Sequence, residues 1–256
     1  MLEHPPEPGD VGRVLQDLGA PVRPFRVDVA DFEDFTERAG YADLEYYDGG
    51  RAPNAREKYL EHYISLRLLD PEPGQVLIDV AAMNSPFVDV AARLHGLDAY
   101  RQDLAYAPGV RGRAIGSDAS SMPIDAAFAD HLVAHCSIEH FAGSSDAGFI
   151  QEAARVLKPG GRLCVLPLYL SSRYWIQVHA KRWRRVLDSI EPGDCVYLSR
   201  EWVPPFSRFY NARAFRQRVI AHAGALDLVL HEVVNLEEVC PSCYVRYAAV
   251  FTRVEE

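Results

Sequence analysis

The run Val76, Leu77, Ile78, Asp79, Val80 is apolar with one carboxylate set into it. It leads through Ala81, Ala82, Met83, Asn84, Ser85 and Pro86 into a stretch with Phe87, Val88, Ala91, Ala92 and Leu94 at helical spacing. A strand that turns sharply into a helix is a common place to hold a nucleotide, and glycines ordinarily make that turn. This turn has none. Asp103, in "YRQDLAY", follows about 20 residues later, where a carboxylate at a strand end can accept from both hydroxyls of a ribose. The plainer reading is a solvated strand-end aspartate. Further on, His135, Glu139 and His140 cluster. A histidine there could take a proton from a hydroxyl, while a Glu-His pair also serves as an ordinary helix start. Cys240 and Cys243 have the spacing of half a zinc site or of a redox pair. No second such pair exists, so reduced, packed thiols and no metal are expected. The cluster "KRWRR" (Lys181 to Arg185), with Arg173, Arg200 and Arg208, could grip a phosphate or carboxylate. Equally, it reads as a solvated helix face with Trp183 packed inward.

These groups need elements to position them. From Gln75 onward the pattern alternates between strand and helix. Strands are expected at 76–81, 99–104, 113–115, 132–136 and 162–166, then at 226–233 and 244–252. The clearest helix is "SSDAGFIQEAARVLKPGG". Ser144, Ser145 and Asp146 offer caps, Phe149, Ile150, Ala153, Val156 and Leu157 form the apolar stripe, and Lys158-Pro159-Gly160-Gly161 supplies the stop. A second helix is expected over 212–222. Such alternation implies a mostly parallel sheet covered by helices on both faces, with ligands bound outside the carboxyl ends of the strands.

The flanking regions differ. Residues 1–70 read as an N-terminal helical cap, weakly ordered at the start and rich in tyrosine (Tyr41, Tyr46, Tyr47, Tyr59, Tyr63). Residues 71–168 form the core. Residues 169–208 break the alternation and carry all three tryptophans, Trp175, Trp183 and Trp202. They read as a lid inserted over the carboxyl edge of the sheet. Residues 209–256 return to the core sheet.

Bulk properties exclude several partners. With 27 basic and 36 acidic side chains the net charge is −9 over 256 residues. That gives the molecule no general attraction for nucleic acid or an anionic membrane. No apolar run reaches spanning length. The start "MLEHPPEPGD" lacks the blocks of a signal peptide, so a cytoplasmic protein with five reduced cysteines is expected. Nothing in the sequence sets an oligomeric state.

The motifs between residues 75 and 168 resemble the class I S-adenosylmethionine-dependent methyltransferases. The family pattern is Gly-Asp-Ala, Leu-Pro-Phe, a strand with Asp, Leu-Glu-His, then a helix ending Val-Leu-Lys-Pro-Gly-Gly. Here its places are taken by Asp118-Ala119, Met122-Pro123-Ile124, Asp130, Ile138-Glu139-His140 and Arg155 to Gly161. Order and gaps agree. The resemblance implies a Rossmann-like α/β fold, a seven-stranded, mostly parallel sheet whose last strand is antiparallel, with the N-terminal cap and the lid closing over it. It implies S-adenosylmethionine as cofactor and methyl transfer to oxygen, nitrogen or carbon of a small molecule, such as a sugar or natural-product intermediate. The basic cluster offers a grip if that molecule is acidic.

Residue by residue, the resemblance places Asp79 at the base of the cofactor loop Ala81, Ala82, Met83, Asn84. It places Asp103 and Leu104 at the ribose, Asp118 at the adenine amino group and the Ala119 backbone at the ring edge. The Cys136 backbone falls at the methionine part, with His140 and His135 as catalytic candidates. The sequence departs from the family at three glycine positions, held by Ala81, Met83 and Ser85. Asn84 tolerates a left-handed conformation, and Ser85-Pro86 suits a helix start, so the turn can be built by other means. No Asn/Asp-Pro-Pro-Tyr/Phe sequence follows the fourth strand, which disfavours nucleobase amines as acceptors. The alternative is a binding or scaffolding protein of this fold that has lost the cofactor. A nicotinamide cofactor is a second alternative, and Asp118-Ala119 argues against it.

Overall fold

The structure, a computed structural model, describes residues 4–43, 54–191, 193–200 and 206–255. Tyr46, Tyr47 and Trp202, and the side chain of Arg185, lie outside the described residues.

Apolar side chains alternate along the central strands, so each strand feeds two cores. In β2 (Val76–Val80), Leu77 joins one core while Ile78 and Val80 join the other. In β6 (Ala129–His135), Val133 and its neighbours Leu132 and Ala134 divide in the same way. One core lies under α1 (Val11–Leu18), α5 (Ser145–Val156) and α6 (Ala212–Arg218). The other lies under α2 (Val29–Ala39), α3 (Ala55–Leu69), α4 (Phe87–His95) and α7 (Leu236–Val239).

The remaining strands of the main sheet are β1 (Val22–Phe25), β3 (Asp98–Asp103), β4 (Gly109–Arg111), β5 (Ala114–Gly116), β7 (Leu157–Leu166), β11 (Leu226–Val233) and β12 (Tyr247–Arg253). Their order is β1-β11-β12-β7-β6-β2-β3-β5-β4. The sheet therefore has nine strands, against the seven expected. The two extra strands are short edge pieces: β1 runs parallel to β11, and β4 folds back antiparallel on β5. Within the seven, β12 is antiparallel to both β11 and β7, as expected of the last strand. The others are parallel, so β2, β3, β5, β6 and β7 all end at one edge. Strand order reverses at β2, which is where a crevice opens in such sheets.

Several local expectations need correction. Residues 11–18 form α1, capped by Asp10 through the Arg13 N–H, with Val14, Leu15 and Leu18 buried in the core. α3 is a wall of the fold rather than an outlying cap. Its residues from Tyr59 to Leu66 are buried all round, and it packs on β6 and β7. α5 ends at Val156, and the Lys-Pro-Gly-Gly stretch is the extended entry to β7. Lys158 there binds Asp130 at 2.8 Å, and the same carboxylate oxygen accepts from the Val76 N–H at 2.8 Å. That aspartate thus ties the starts of three strands together. A side chain at Gly161 would meet the Asp130 carbonyl oxygen at 2.9 Å, which requires glycine at this close approach.

The 169–208 segment forms a second sheet of β8 (Trp175–His179), β9 (Val196–Ser199) and β10 (Phe206–Phe209), in the order β10-β8-β9. β10 packs on the short 3-10 turn Ile138–His140 that follows β6. A buried ionic knot holds the join. Asp146, expected as a helix cap, is fully buried and accepts from Arg218 at 2.7 and 2.8 Å and from the Tyr210 hydroxyl at 2.9 Å. Arg208 lies 3.3 Å from the same carboxylate and donates to the carbonyls of Phe141 and Gly143. Removing one partner from such a knot strands the others' charge in a dry site. The Asp146→Asn variant is expected to lose on the order of 3–5 kcal/mol of stability by denaturant unfolding. A loss below about 1 kcal/mol would show that the knot does not hold the insertion in place.

Candidate cofactor cleft and active site

The turn after β2 is built with left-handed residues that are not glycine. Ala81 has φ 56° and Met83 has φ 46°, two of the three glycine positions, while Ser85 and Asn84 are not left-handed. The neighbouring strand braces them. The Gln102 side chain accepts from the Ala81 N–H at 3.2 Å and donates to the Ser117 carbonyl at 2.5 Å. Its backbone carbonyl accepts from the Ala82 N–H at 2.9 Å. Asp103 accepts from the Met83 N–H at 2.9 Å, and the Tyr106 hydroxyl donates to the Met83 carbonyl. The Met83 side chain is 61% exposed, so it does not fill the interior behind the turn. Ser85 accepts from the Phe87 N–H at 3.2 Å and starts α4.

The other predicted cofactor residues stand along the same edge. Asp103 is buried, and its second oxygen accepts from the Ala105 N–H at 2.8 Å. Each oxygen keeps a further lone pair. Leu104, between them, is 73% exposed. Asp118 uses Oδ1 for the backbone and hydroxyl of Ser120, at 2.8 and 2.7 Å, which leaves Oδ2 without a partner among the described residues. The Ala119 N–H is likewise unpaired there. An acceptor oxygen, an N–H beside it and two exposed apolar side chains, Met83 and Leu104, suit the edge and face of a purine. The chain therefore fits an adenosine cofactor. Asp79 is different. It is buried on the α3 side of β2, with Oδ1 at 3.5 Å from His135.

Beyond β6 the chain turns through Cys136, at φ 46°. Its thiol meets Lys58 at 2.7 Å, Glu61 at 3.3 Å and the Tyr169 hydroxyl at 3.7 Å. Lys58 also binds Glu61 at 2.8 Å. Burial opposes charge on Lys58, but the Glu61 charge, with the hydrogen bonds to Cys136 and Glu61, outweighs it and holds the ammonium charged. Burial, then the Glu61 charge, pushes the Cys136 thiol well up, so it stays neutral. Glu57, one turn earlier on α3, is buried and raised to about 7 by burial first and then by Glu61, against the pull of Lys58 and the Tyr244 hydroxyl. Sequence reasoning missed Glu57, Lys58, Glu61 and Gln102. The α3 residues stood among tyrosines that read as a cap, and Gln102 adjoins an aspartate that drew the attention.

The two histidines part company. His135 packs between His62 and Phe87 and bonds Ser65 at 3.0 Å, with its side chain nearly buried. His140 is 28% exposed. Its Nδ1 lies 2.6 Å from the Phe206 carbonyl, which only accepts, so Nδ1 carries the proton and Nε2 is the open nitrogen. Nε2 lies 3.5 Å from Glu139, a carboxyl raised by burial and without a hydrogen bond.

A cavity of about 940 Å³ opens beside Tyr169. Residues 6–12, 168–171, Trp175, Phe209 and the loop before β12 line it. Lys181, Arg182 and Arg184 are exposed and do not line it, and Trp183, expected to pack inward, is 38% exposed. Arg208 is committed to the buried knot. Cys240 and Cys243 are free thiols in a turn, with Cys243 N–H donating to Cys240 at 2.9 Å. Among the described residues no group of three or more His, Cys, Asp or Glu converges as a metal site, and no helix is long and apolar enough to cross a membrane.

Residues 78–165 match the family model described as a methyltransferase domain. Two solved structures share the fold over most of the chain. One is the complex between the Haloferax volcanii Trm112 methyltransferase activator and a putative methyltransferase, at 14% identity and TM-score 0.51, covering 86% of this chain and 98% of that one. The other is Burkholderia thailandensis 1,6-didemethyltoxoflavin-N1-methyltransferase, solved with its substrate and S-adenosylhomocysteine. It has 13% identity and TM-score 0.51, covering 100% of this chain and 94% of that one. A comparison with curated proteins finds no match. The matched core and the strand order define the fold: a class I methyltransferase fold whose core, residues 78–165, matches the methyltransferase domain model. Its particular form has a glycine-free first turn and an inserted three-stranded sheet.

Two outcomes follow from this geometry. A left-handed alanine costs on the order of 1 kcal/mol that glycine does not incur. Ala81→Gly is therefore expected to be neutral or stabilising by up to about 1 kcal/mol in thermal unfolding, and clear destabilisation would contradict the strain. Glu57 has a folded value of about 7 against 4.5 for a free carboxyl, so its contribution is present below about pH 4.5 and lost as pH rises through 7. Glu57→Gln is expected to gain on the order of 2–3 kcal/mol relative to wild type at pH 8 compared with pH 4. A stability difference that does not change with pH would show that Glu57 titrates normally.

Proposed function

We propose that this chain transfers the methyl group of S-adenosylmethionine to an oxygen, nitrogen or carbon of a small molecule held in the cavity beside Tyr169. The observation that carries the reading is the row of unspent groups along one sheet edge: Asp118 Oδ2, the Ala119 N–H, and the exposed side chains of Met83 and Leu104. When bound, the cofactor supplies a sulfonium-activated methyl carbon. Asp103 orients the ribose while its bonds to the Met83 and Ala105 N–H groups tie the two loops together. Asp118 and Ala119 hold the adenine edge. Ala81, Ala82, Met83 and Asn84 line the path of the cofactor's tail, and Asp79 lies buried at the base of the loop, 3.5 Å from His135. The left-handed Cys136 places its backbone toward the methionine part. His140 is the histidine positioned to take a proton, since its open Nε2 is part-exposed, whereas His135 is packed and bonded to Ser65. Alignment of the acceptor and exclusion of water do much of the remaining work in such a displacement.

The cavity wall supports a small-molecule acceptor, because it is built largely of aromatic and apolar side chains. The basic cluster lies away from it, so an acidic acceptor draws no support from Lys181, Arg182 or Arg184. Calorimetric titration with S-adenosylhomocysteine tests the reading. Saturable binding is expected, weakened about 10- to 100-fold by Asp118→Ala, the range for losing a hydrogen bond to a charged group. Asp103→Ala is expected to weaken it at least as much, since the turn loses its brace too. Absence of binding at millimolar ligand would favour a protein of this fold that acts by binding something else.

A further inference from the structure

The cavity beside Tyr169 has flat apolar walls. Trp175 and Phe209 stack with centroids 3.8 Å apart and planes within 7°. Phe209 meets Tyr169 edge-on at 5.5 Å, and Tyr169 lies 5.5 Å from Tyr244. Four rings from β8, β10, the segment after β7 and the loop before β12 thus make one continuous aromatic surface. The N-terminal segment supplies Pro6, Pro8 and Val11 to the same cavity. It is fastened there: the Ser172 N–H donates to the Pro8 carbonyl at 2.7 Å. Gly9, at φ 68°, lies so close to Ser172 that a side chain would overlap it. The charged lining groups, Glu7, Asp10 and Arg246, are exposed and belong to the mouth.

The polar groups among the walls are few. The Trp175 indole N–H is buried and has no partner among the described residues, on a side chain only 4% exposed. An indole N–H only donates, so a ligand that satisfies it must bring an acceptor oxygen or nitrogen. The Tyr169 hydroxyl lies 3.7 Å from Cys136, the residue that follows β6. A cationic amine has nothing to offer the indole N–H. A sugar needs many polar partners, and these walls provide few. Flat rings suit another flat ring.

We propose that this cavity is the acceptor subsite and that it takes a planar aromatic molecule carrying a carbonyl or hydroxyl oxygen. The inference rests on the methyltransferase reading only for the word acceptor; the binding itself is independent of it. The oxygen meets the Trp175 N–H, the ring system lies against Phe209 and Tyr169, and the reacting edge points past Tyr169 toward Cys136.

The test uses the full-length protein and three planar probes, 7-hydroxycoumarin, 1-naphthol and quercetin, titrated calorimetrically with and without S-adenosylhomocysteine. Methyl glucoside and choline serve as the non-aromatic arms. At least one aromatic probe is expected to bind saturably, at least 10-fold more tightly than either control. Phe209→Leu is expected to weaken it about 10-fold or more. Trp175→Phe, which keeps a ring and removes the N–H, is expected to weaken it several-fold. Unchanged S-adenosylhomocysteine binding and circular dichroism confirm that each variant is folded. Binding of no aromatic probe, preference for the glucoside or choline, or affinity unchanged in both variants overturns the proposal. If the aromatic probe binds and S-adenosylhomocysteine does not, the subsite stands and the methyltransferase reading falls; the reverse result removes the subsite alone.

Discussion

The carboxylate of Asp103 holds together what the rest of the cofactor edge needs. It accepts from the Met83 N–H on one oxygen and from the Ala105 N–H on the other, so one buried group fixes both the first turn and the loop after β3. Two left-handed residues without glycine cost about 1–2 kcal/mol each. A hydrogen bond to a charged group returns about 1.5–3 kcal/mol, and the Gln102 amide adds a second tie at Ala81. The two sides are of similar size, so the turn stands with its glycines gone as long as β3 ends in Gln-Asp. Conformational freedom supplied by residue type in the turn has been replaced by hydrogen bonding from the neighbouring strand.

This explains which parts of the fold were legible in the sequence. The strand-helix alternation from Gln75 is a short-range signal, and β2, β3, β6 and β11 fall where their apolar runs lie. The edge strands β1 and β4 were not legible. Val22–Phe25 is exposed along most of its length and has no alternation to read, and Gly109–Arg111 is three residues long. Asn84 attracted the left-handed reading because its type tolerates it, yet the backbone places that conformation at Ala81 and Met83, where partners in β3 hold it. Long-range bonds decide such cases, and a single sequence does not display them. The same holds for Asp146. Its position before a helix reads as a cap, but Arg208 and Arg218, some 60–70 residues away in sequence, claim it.

The knot around Asp146 couples the inserted sheet to the chemistry. Arg208 belongs to β10, and β10 also presents the Phe206 carbonyl that fixes the His140 ring. The turn Ile138–His140 is thereby clamped between its own strand and the insertion. Phe209, the residue after the arginine and so on the other face of β10, stacks on Trp175 in the cavity wall. One short strand therefore sets the orientation of the histidine, the anchorage of the insertion and one face of the cavity. A change in any of the three reaches the others through a few ångströms of backbone.

Charge at the floor of the site points the same way as the shape of its walls. Lys58 and Glu61 are paired at 2.8 Å, and burial keeps the Cys136 thiol and the Tyr169 and Tyr244 phenols neutral. Glu139 is raised by burial, and Glu57 is raised to about 7. The Lys58–Glu61 pair cancels its own charge and the buried thiol and phenols add none, although the molecule carries −9. Its acidity is displayed on the outside. The ring-lined part of the cavity, inside the charged groups at its mouth, loses little by desolvating a neutral molecule. It rewards fit against flat surfaces. The ionised pair on α3 then serves to hold that helix, Cys136 and Tyr169 at fixed separation, which is what the proposed alignment of an acceptor for displacement at carbon requires.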